Sequence, residues 1–182
     1  VEHPITELVY GVDLVRLQVE VAEGRPLPFA QEDLQPRGHA IEVRLTAEDP
    51  AAGFLPQTGR VQALRFPQGP GVRVDSHLFP GQEISLHYDP MIGKVVVHGR
   101  DRSDAIARMR RALVEMRLVG VKTCAPLLLA LLGDDRFRRG EVDTAFLERY
   151  VAEGTWQHLP DVNDLPAELP AVLAAVLYAH AR

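Results

Sequence analysis

The stretch Arg37-Gly38-His39-Ala40-Ile41-Glu42-Val43-Arg44-Leu45 decides the fold, because its side chains repeat with a period of two. One side carries His39, Ile41, Val43 and Leu45, and the other carries Ala40, Glu42 and Arg44. Successive side chains of a β-strand point to opposite faces of a sheet. The stretch is therefore predicted to be a half-buried strand.

The polar side of this strand places a carboxylate beside a guanidinium. Glu42 and Arg44 share that face, so the glutamate could orient the arginine. An oriented arginine can bind an oxyanion through two parallel hydrogen bonds, which lysine cannot do. The alternative interpretation is a solvated sheet face with an ordinary ion pair.

The flanking sequence predicts further strands and helices. Strands are predicted at residues 59–66, 71–76, 84–88 and 94–98, and their short connections favour antiparallel neighbours. Helices are predicted at residues 6–23 (with Asp13 capping a second segment), 103–118 (capped by Ser103), 125–132, 144–151 (capped by Asp143) and 170–182. The predicted fold class is α+β, an antiparallel sheet flanked by helices.

Composition excludes several classes of protein. The chain has 182 residues, 46% hydrophobic and 25% charged, which is typical of a globular protein. The longest apolar stretch, residues 125–132, is far shorter than the roughly 20 residues of a membrane-spanning helix, so no membrane association is expected. The net charge of −5 argues against nucleic-acid binding. The single cysteine, Cys124, excludes an internal disulfide and a thiolate zinc cluster, and it favours a reducing, cytoplasmic compartment.

The chain begins with Val1-Glu2-His3-Pro4, which lacks both an initiator methionine and a basic signal-peptide region. We expect a piece of a longer polypeptide. Glu2 and His3 beside a proline-fixed turn could act as a general base. The alternative is a pair of ordinary surface residues at a chain end. The histidines show no metal-ligand spacing, and no metal ligand is predicted in this chain.

Several motifs occur in one order along residues 1–150, and together they resemble the C-terminal part of biotin carboxylase, an enzyme of the ATP-grasp group. They are Val1-Glu2-His3-Pro4-Ile5-Thr6-Glu7, Arg37–Arg44, Ala47-Glu48-Asp49-Pro50, Phe54-Leu55-Pro56 with Thr58-Gly59, Tyr88-Asp89-Pro90-Met91-Ile92-Gly93-Lys94 and Gly120-Val121-Lys122-Thr123.

The resemblance implies ATP- and bicarbonate-dependent carboxylation of biotin, a ligase reaction. It assigns to Glu2 the deprotonation of bicarbonate, with the backbone amide of Val1 helping to hold the anion. It assigns to Arg44 the stabilisation of negative charge on the ureido oxygen of biotin. It places Thr144 near the adenine of ATP and Arg73 at a dimer contact. The ATP-binding lysines, the glycine-rich loop and the Mg²⁺ ligands are expected upstream of Val1, so the isolated chain is predicted to be inactive.

The resemblance also implies a division of the chain and a set of partners. Residues 1–36 correspond to the helical end of the ATP-grasp domain, 37–153 to the C-terminal domain, and 154–182 to a linker and an apolar helix. The expected partners are the rest of the carboxylase, a biotin carrier domain, a second copy of the chain and a carboxyltransferase subunit.

Two segments refine the assignment within the family. Gly140–Phe146 and His87–Met91 resemble the α subunits of carboxylases that act on methylcrotonyl-CoA or propionyl-CoA. The corresponding domain of pyruvate carboxylase is an alternative, since it shares part of the first segment. A second alternative is a subunit-assembly module without activity of its own, which the apolar C-terminal segment favours.

Overall fold

The computed structural model describes residues 3–158, and within them helices enclose a set of antiparallel strands. The helices are α1 (Pro4–Tyr10), α2 (Leu14–Ala22), α3 (Arg102–Glu115), α4 (Ala125–Leu131), α5 (Asp135–Arg139) and α6 (Phe146–Glu153). The strands are β1 (His39–Thr46), β2 (Glu48–Asp49), β3 (Leu55–Pro56), β4 (Gly59–Arg60), β5 (Ala63–Arg65), β6 (Val72–Ser76), β7 (Glu83–Ile84), β8 (Met91–Gly99) and β9 (Arg117–Val119). The α+β class is confirmed.

The central feature is a three-stranded antiparallel sheet in the order β1-β8-β6. Its register places Arg44 opposite Lys94, and Lys94 opposite Asp75 on the other side. The alternation in β1 is as predicted: Ile41, Val43 and Leu45 are buried, whereas Arg44 is exposed.

The two faces of this sheet are covered by different helices. On the apolar face, α3 packs against β1 and β8 and joins the main hydrophobic core through Met109 and Leu113. On the polar face, α1 packs against the same strands. This packing accounts for the burial of Ala40 and Val96, which lie on the polar side of the register. The sheet is thus a layer between α1 and α3.

The predicted helix at residues 6–23 is divided into α1 and α2. The first helix ends at Gly11, and the Asp13 side chain caps the second by accepting a hydrogen bond from the Arg16 amide at 3.0 Å. The capping role of Asp13 is confirmed.

The predicted strand neighbours were wrong although their antiparallel direction was right. The segment 59–66 forms β4 and β5, which pair with β7 and β9, and β6 pairs with β8. A short turn joins consecutive strands but does not choose their partners, which are set by burial in the common core. Residues 85–88 form a turn in which Tyr88 is 85% exposed, so the predicted strand at 84–88 is reduced to Ile84 at the end of β7.

The third helix also differs from its predicted bounds. It begins at Arg102, because the Asp101 side chain rather than Ser103 caps it and accepts from the Asp104 amide at 2.8 Å. It ends at Glu115, and residues 117–119 pair with β5.

Helix α6 begins after Ala145, two residues later than predicted, while Asp143 accepts from the Ala145 amide at 3.0 Å. The predicted apolar helix at 170–182 and most of the linker lie outside the described residues.

The close approach of Gly120 to the backbone of β4 can be tested by substitution. Its φ is +109°, and a Cβ added there would overlap the Arg60 carbonyl oxygen. We expect Gly120→Ala to lower the free energy of unfolding by about 3 kcal/mol, since strain and a clash with backbone act together. Gly24→Ala is the matched control, because Gly24 also has a positive φ (+83°) but open space around it, and about 1 kcal/mol is expected there. Urea unfolding measures both variants, and equal losses of unfolding free energy would contradict the clash.

Candidate functional site

Arg44 lies on the polar face of β1 beside Glu42. The Arg44 side chain is 59% exposed, and its Nε lies 3.9 Å from Glu42 Oε1. The Glu42 side chain is only 13% exposed. The pairing predicted from alternation is therefore present, with the carboxylate buried and the guanidinium open to solvent.

Lys94 is the second cation beside Glu42. Its Nζ lies 3.9 Å from the same carboxylate oxygen, and its side chain is 11% exposed. Glu42 thus lies between two positive charges, one buried and one presented outward. The sequence did not single out Lys94 as a site residue. The feature that could have indicated its burial is its position inside the apolar strand β8.

A third group of charges attaches α1 to the sheet. Arg73 Nη1 lies 3.1 Å from Glu7 Oε2 on α1, and Arg73 Nη2 lies 2.8 Å from Asp75 Oδ2. The hydrogen bond with Asp75 is the main cause that raises the pKa of Arg73. Glu7 also accepts from the Leu14 amide at 3.2 Å, so the same residue fixes the start of α2. Arg73 therefore has partners within the chain, and its role in a dimer contact stays a prediction.

The polar face opens into a cavity of about 480 Å³ between β1, β8 and the end of β6. It is lined by Arg44, Asp75, Ser76, His77, Met91, Gly93 and Lys94. Two cations border it, and Ser76 Oγ donates to the Ile92 carbonyl at 2.6 Å, which fixes one wall. The arrangement suits a small ligand that carries or develops negative charge on oxygen.

The described part of the chain does not bring the other predicted site residues to this cavity. Val1 and Glu2 lie outside the described residues. The described chain begins at His3, which is exposed, and Pro4 is buried where α1 starts on the polar face of the sheet. Thr144 is exposed in the turn before α6, which packs in a separate apolar cluster that includes Trp156.

Neither a metal centre nor a membrane span is found in the described part of the chain. Residues 3–158 contain no group of three or more His, Cys, Asp or Glu side chains placed to hold a metal ion. No helix in that range is long and apolar enough to cross a membrane.

Asp49 and Lys122 join two of the motif segments and give a pH-dependent prediction. Lys122 Nζ donates to Asp49 Oδ2 at 2.8 Å, and this hydrogen bond is the main cause that holds the pKa of Asp49 below its ordinary value. The Asp49 carboxylate therefore binds a proton more readily in the unfolded chain than in the folded one. The stability that the pair contributes is present at pH values above the ordinary pKa of aspartate, and it is lost as the pH falls through the lowered pKa. We expect Lys122→Ala to lower the free energy of unfolding by about 0.5–1 kcal/mol at pH 7. The difference in this free energy between the variant and wild type should shrink below about pH 4. Urea unfolding at both pH values measures this, and a difference that grew in acid would contradict it.

Comparison with known proteins identifies the family. The family model described as "Biotin carboxylase C-terminal domain" matches residues 42–149. This chain belongs to that family. It is 51% identical over 150 residues to a pyruvate carboxylase subunit of Methanothermobacter thermautotrophicus, covering 82% of this chain and 30% of the relative. It is 46% identical over 155 residues to biotin carboxylase 1 of Bacillus subtilis, covering 85% of this chain and 34% of the relative. The chain thus spans about a third of the length of these curated relatives.

Solved structures agree with this assignment. One is the biotin carboxylase domain dimer of the Hydrogenobacter thermophilus 2-oxoglutarate carboxylase, in complex with MgADP, ADP and bicarbonate. It matches with a TM-score of 0.79 at 39% identity, over 91% of this chain and 34% of that one. Another is the Rhizobium etli pyruvate carboxylase T882A with acetyl coenzyme A, with a TM-score of 0.83 at 35% identity, over 88% of this chain and 16% of that one. The relatives are biotin carboxylases and larger carboxylases that contain them.

Proposed function

We propose that this chain is the C-terminal part of a biotin carboxylase and supplies Arg44 to the ATP- and bicarbonate-dependent carboxylation of biotin. The observation that carries the proposal is the placement of Arg44, whose side chain extends from β1 to line the polar cavity while Glu42 Oε1 lies 3.9 Å from its Nε. A fixed cation next to an oxygen that gains charge stabilises the transition state more than the ground state.

In the proposed reaction each residue acts on a particular proton or charge. Glu2 takes the proton from bicarbonate, which then attacks the γ-phosphate of ATP to form carboxyphosphate and release ADP. Carboxyphosphate breaks down to CO2 and phosphate, the phosphate takes the proton from N1′ of biotin, and the deprotonated nitrogen attacks CO2 to form carboxybiotin. The charge that then develops on the ureido oxygen is met by Arg44, and Lys94 adds a second positive charge at the wall of the same cavity. ATP, Mg²⁺ and most of their binding groups belong to the part of the enzyme upstream of Val1.

We propose an acyl-CoA as the final acceptor of the carboxyl group. The support is the similarity of His87–Met91 and Gly140–Phe146 to the α subunits that act on methylcrotonyl-CoA or propionyl-CoA. Pyruvate is the second candidate, and a specific observation favours it: the relative with 51% identity is a pyruvate carboxylase subunit. The acceptor is selected by a carboxyltransferase, so residues of this chain do not contact it.

We also propose that the chain works within a larger assembly that includes the rest of the biotin carboxylase, a biotin carrier domain, a carboxyltransferase and a second copy of the carboxylase. An apolar groove of about 750 Å³ lies between α1, α2 and the following loop. It supports the proposal that a partner covers this surface. Three valines of α2, which line this groove or lie beside it, are each about half exposed: Val15, Val19 and Val21. The rest of the ATP-grasp domain is the proposed partner for this groove.

The test is made on the complete polypeptide that contains this chain. We expect ATP cleavage that requires bicarbonate and is stimulated by free biotin, whereas the isolated 182-residue chain should show none. Addition of the carrier and carboxyltransferase with propionyl-CoA, methylcrotonyl-CoA or pyruvate then identifies the acceptor. Carboxylation of pyruvate alone would replace the acyl-CoA proposal, and absence of biotin-stimulated ATP cleavage by the complete polypeptide would overturn the function itself.

A further inference from the structure

Cys124 binds the backbone of β1 on both sides of Leu45. Its Sγ accepts a hydrogen bond from the Thr46 amide at 3.3 Å and donates to the Arg44 carbonyl oxygen at 3.5 Å. The Cys124 amide donates to the Thr46 carbonyl oxygen at 3.1 Å. A residue far away in the sequence therefore contacts the backbone of Arg44 itself.

These contacts lie where the regular pairing of β1 is interrupted. The register between β1 and β8 shifts between Leu45 and Thr46, so Leu45 is opposite Gly93 and Thr46 is opposite Met91. The extra residue is Ile92 of β8, which has no opposite residue in β1, and a β-bulge of this kind locally disrupts the ladder between the two strands. The hydrogen bonds from Cys124 hold β1 opposite this irregularity, one residue after Arg44.

The thiol is suited to a structural contact of this kind. Cys124 is 6% exposed, and burial raises the pKa of its thiol. A neutral thiol has both a proton to donate and a sulfur lone pair to accept with, whereas a thiolate could only accept. Burial also separates this side chain from solutes, so a redox or nucleophilic role does not fit.

We propose that Cys124 is a positioning residue for Arg44, fixing the strand backbone so that the guanidinium is held at the cavity. The proposal rests on the function proposed for Arg44. Cys124 does not border the cavity, whose lining is formed by β1, β6, β8 and adjacent residues, so it acts through the backbone alone.

The decisive measurement is a double-mutant cycle in the complete biotin carboxylase. Cys124→Ala leaves the Thr46 amide without its sulfur acceptor, and we expect kcat/KM for biotin to fall about fivefold, as for the loss of one modest hydrogen bond. Bicarbonate-dependent ATP cleavage without biotin should stay unchanged. Cys124→Ser offers the same donor and acceptor and should restore most of the loss. In an Arg44→Ala background, Cys124→Ala should have no further effect on biotin kinetics.

Leu127→Ala is the matched structural control. Leu127 is 2% exposed on α4, the helix that starts directly after Cys124, but it belongs to the second apolar cluster, away from β1. We expect it to lower the melting temperature and leave KM for biotin unchanged. If Cys124→Ala kept the wild-type kcat/KM for biotin, or if its loss were fully additive with that of Arg44→Ala, the positioning role would be overturned.

A second measurement separates this inference from the proposed function. Hydrogen exchange of the Thr46 amide in the 182-residue chain should be faster in Cys124→Ala than in wild type and Leu127→Ala. Unchanged exchange at Thr46 would overturn the inference whatever the activity of the complete enzyme. Faster exchange in a polypeptide with no biotin-stimulated activity would support the backbone contact and overturn the function of Arg44.

Discussion

Replacing Arg44 with alanine in the complete biotin carboxylase should lower kcat/KM for biotin by about 10²–10³-fold, the usual effect of removing one preorganised charge-stabilising group. The side chain is 59% exposed, and its Nε lies 3.9 Å from Glu42 Oε1. It therefore contributes little to the core, and the melting temperature should change by no more than a few degrees. Steady-state kinetics with free biotin, together with thermal unfolding, measure both effects.

Two further variants make the Arg44 result specific. Arg44→Lys keeps the charge but loses the planar fork, so it should recover only a part of the activity. Arg100→Ala removes another exposed arginine (84%), which pairs with Asp104 outside the cavity, and it should leave biotin kinetics unchanged. If Arg44→Ala retained wild-type kcat/KM for biotin, the site assignment would be wrong and only the family membership would stand.

Replacing Glu42 with alanine should lower the free energy of unfolding by about 3 kcal/mol. The carboxylate lies between Lys94 and Arg44, and the side chains of Glu42 and Lys94 are both nearly buried. Removing one member of a buried pair is costly, because the remaining charge keeps its desolvation penalty with less compensation. The same variant should impair biotin kinetics, since the guanidinium of Arg44 loses a neighbour that orients it.

The Glu42 prediction has a surface control and a compensating variant. Glu141 pairs with Arg139 in the open, with both side chains 57% exposed, so Glu141→Ala should lower the free energy of unfolding far less than Glu42→Ala does. Adding Lys94→Met to Glu42→Ala should recover a large part of the lost stability by removing the buried charge. Urea unfolding of the chain measures all of these. A Glu42→Ala loss as small as that of Glu141→Ala would show that the buried pair contributes nothing.

Much of the site was predictable because it depends on local rules. Alternation in β1 placed Glu42 and Arg44 on one face, and the ordered motifs pointed to biotin carboxylase, which the family match confirms. The capping role of Asp13 also followed from its position before an apolar repeat. Roles of individual residues, including Glu2 and Thr144, stay predictions.

The neighbours of Arg44 on other strands could not be predicted, because they come from distant segments. Lys94 is placed opposite Arg44, and Asp75 opposite Lys94, only by the register of β8 with β1 and β6. Cys124 reaches β1 because α4 begins beside the bulge, and a lone cysteine carries no signal of such a contact. Strand pairing was misassigned for the same reason, since turns specify direction but not neighbours.

The sequence by itself determined which segments could be helix or strand, which face of β1 is polar and which family the chain resembles. These properties follow from side-chain periodicity, capping chemistry and motif order, all of which act over a few residues. Only the tertiary structure decided that β8 lies between β1 and β6, that Lys94 is buried against Glu42, and that Cys124 contacts the Arg44 backbone. Those outcomes depend on the joint burial of the main core and on long-range register, and no local pattern encodes the free energy of either.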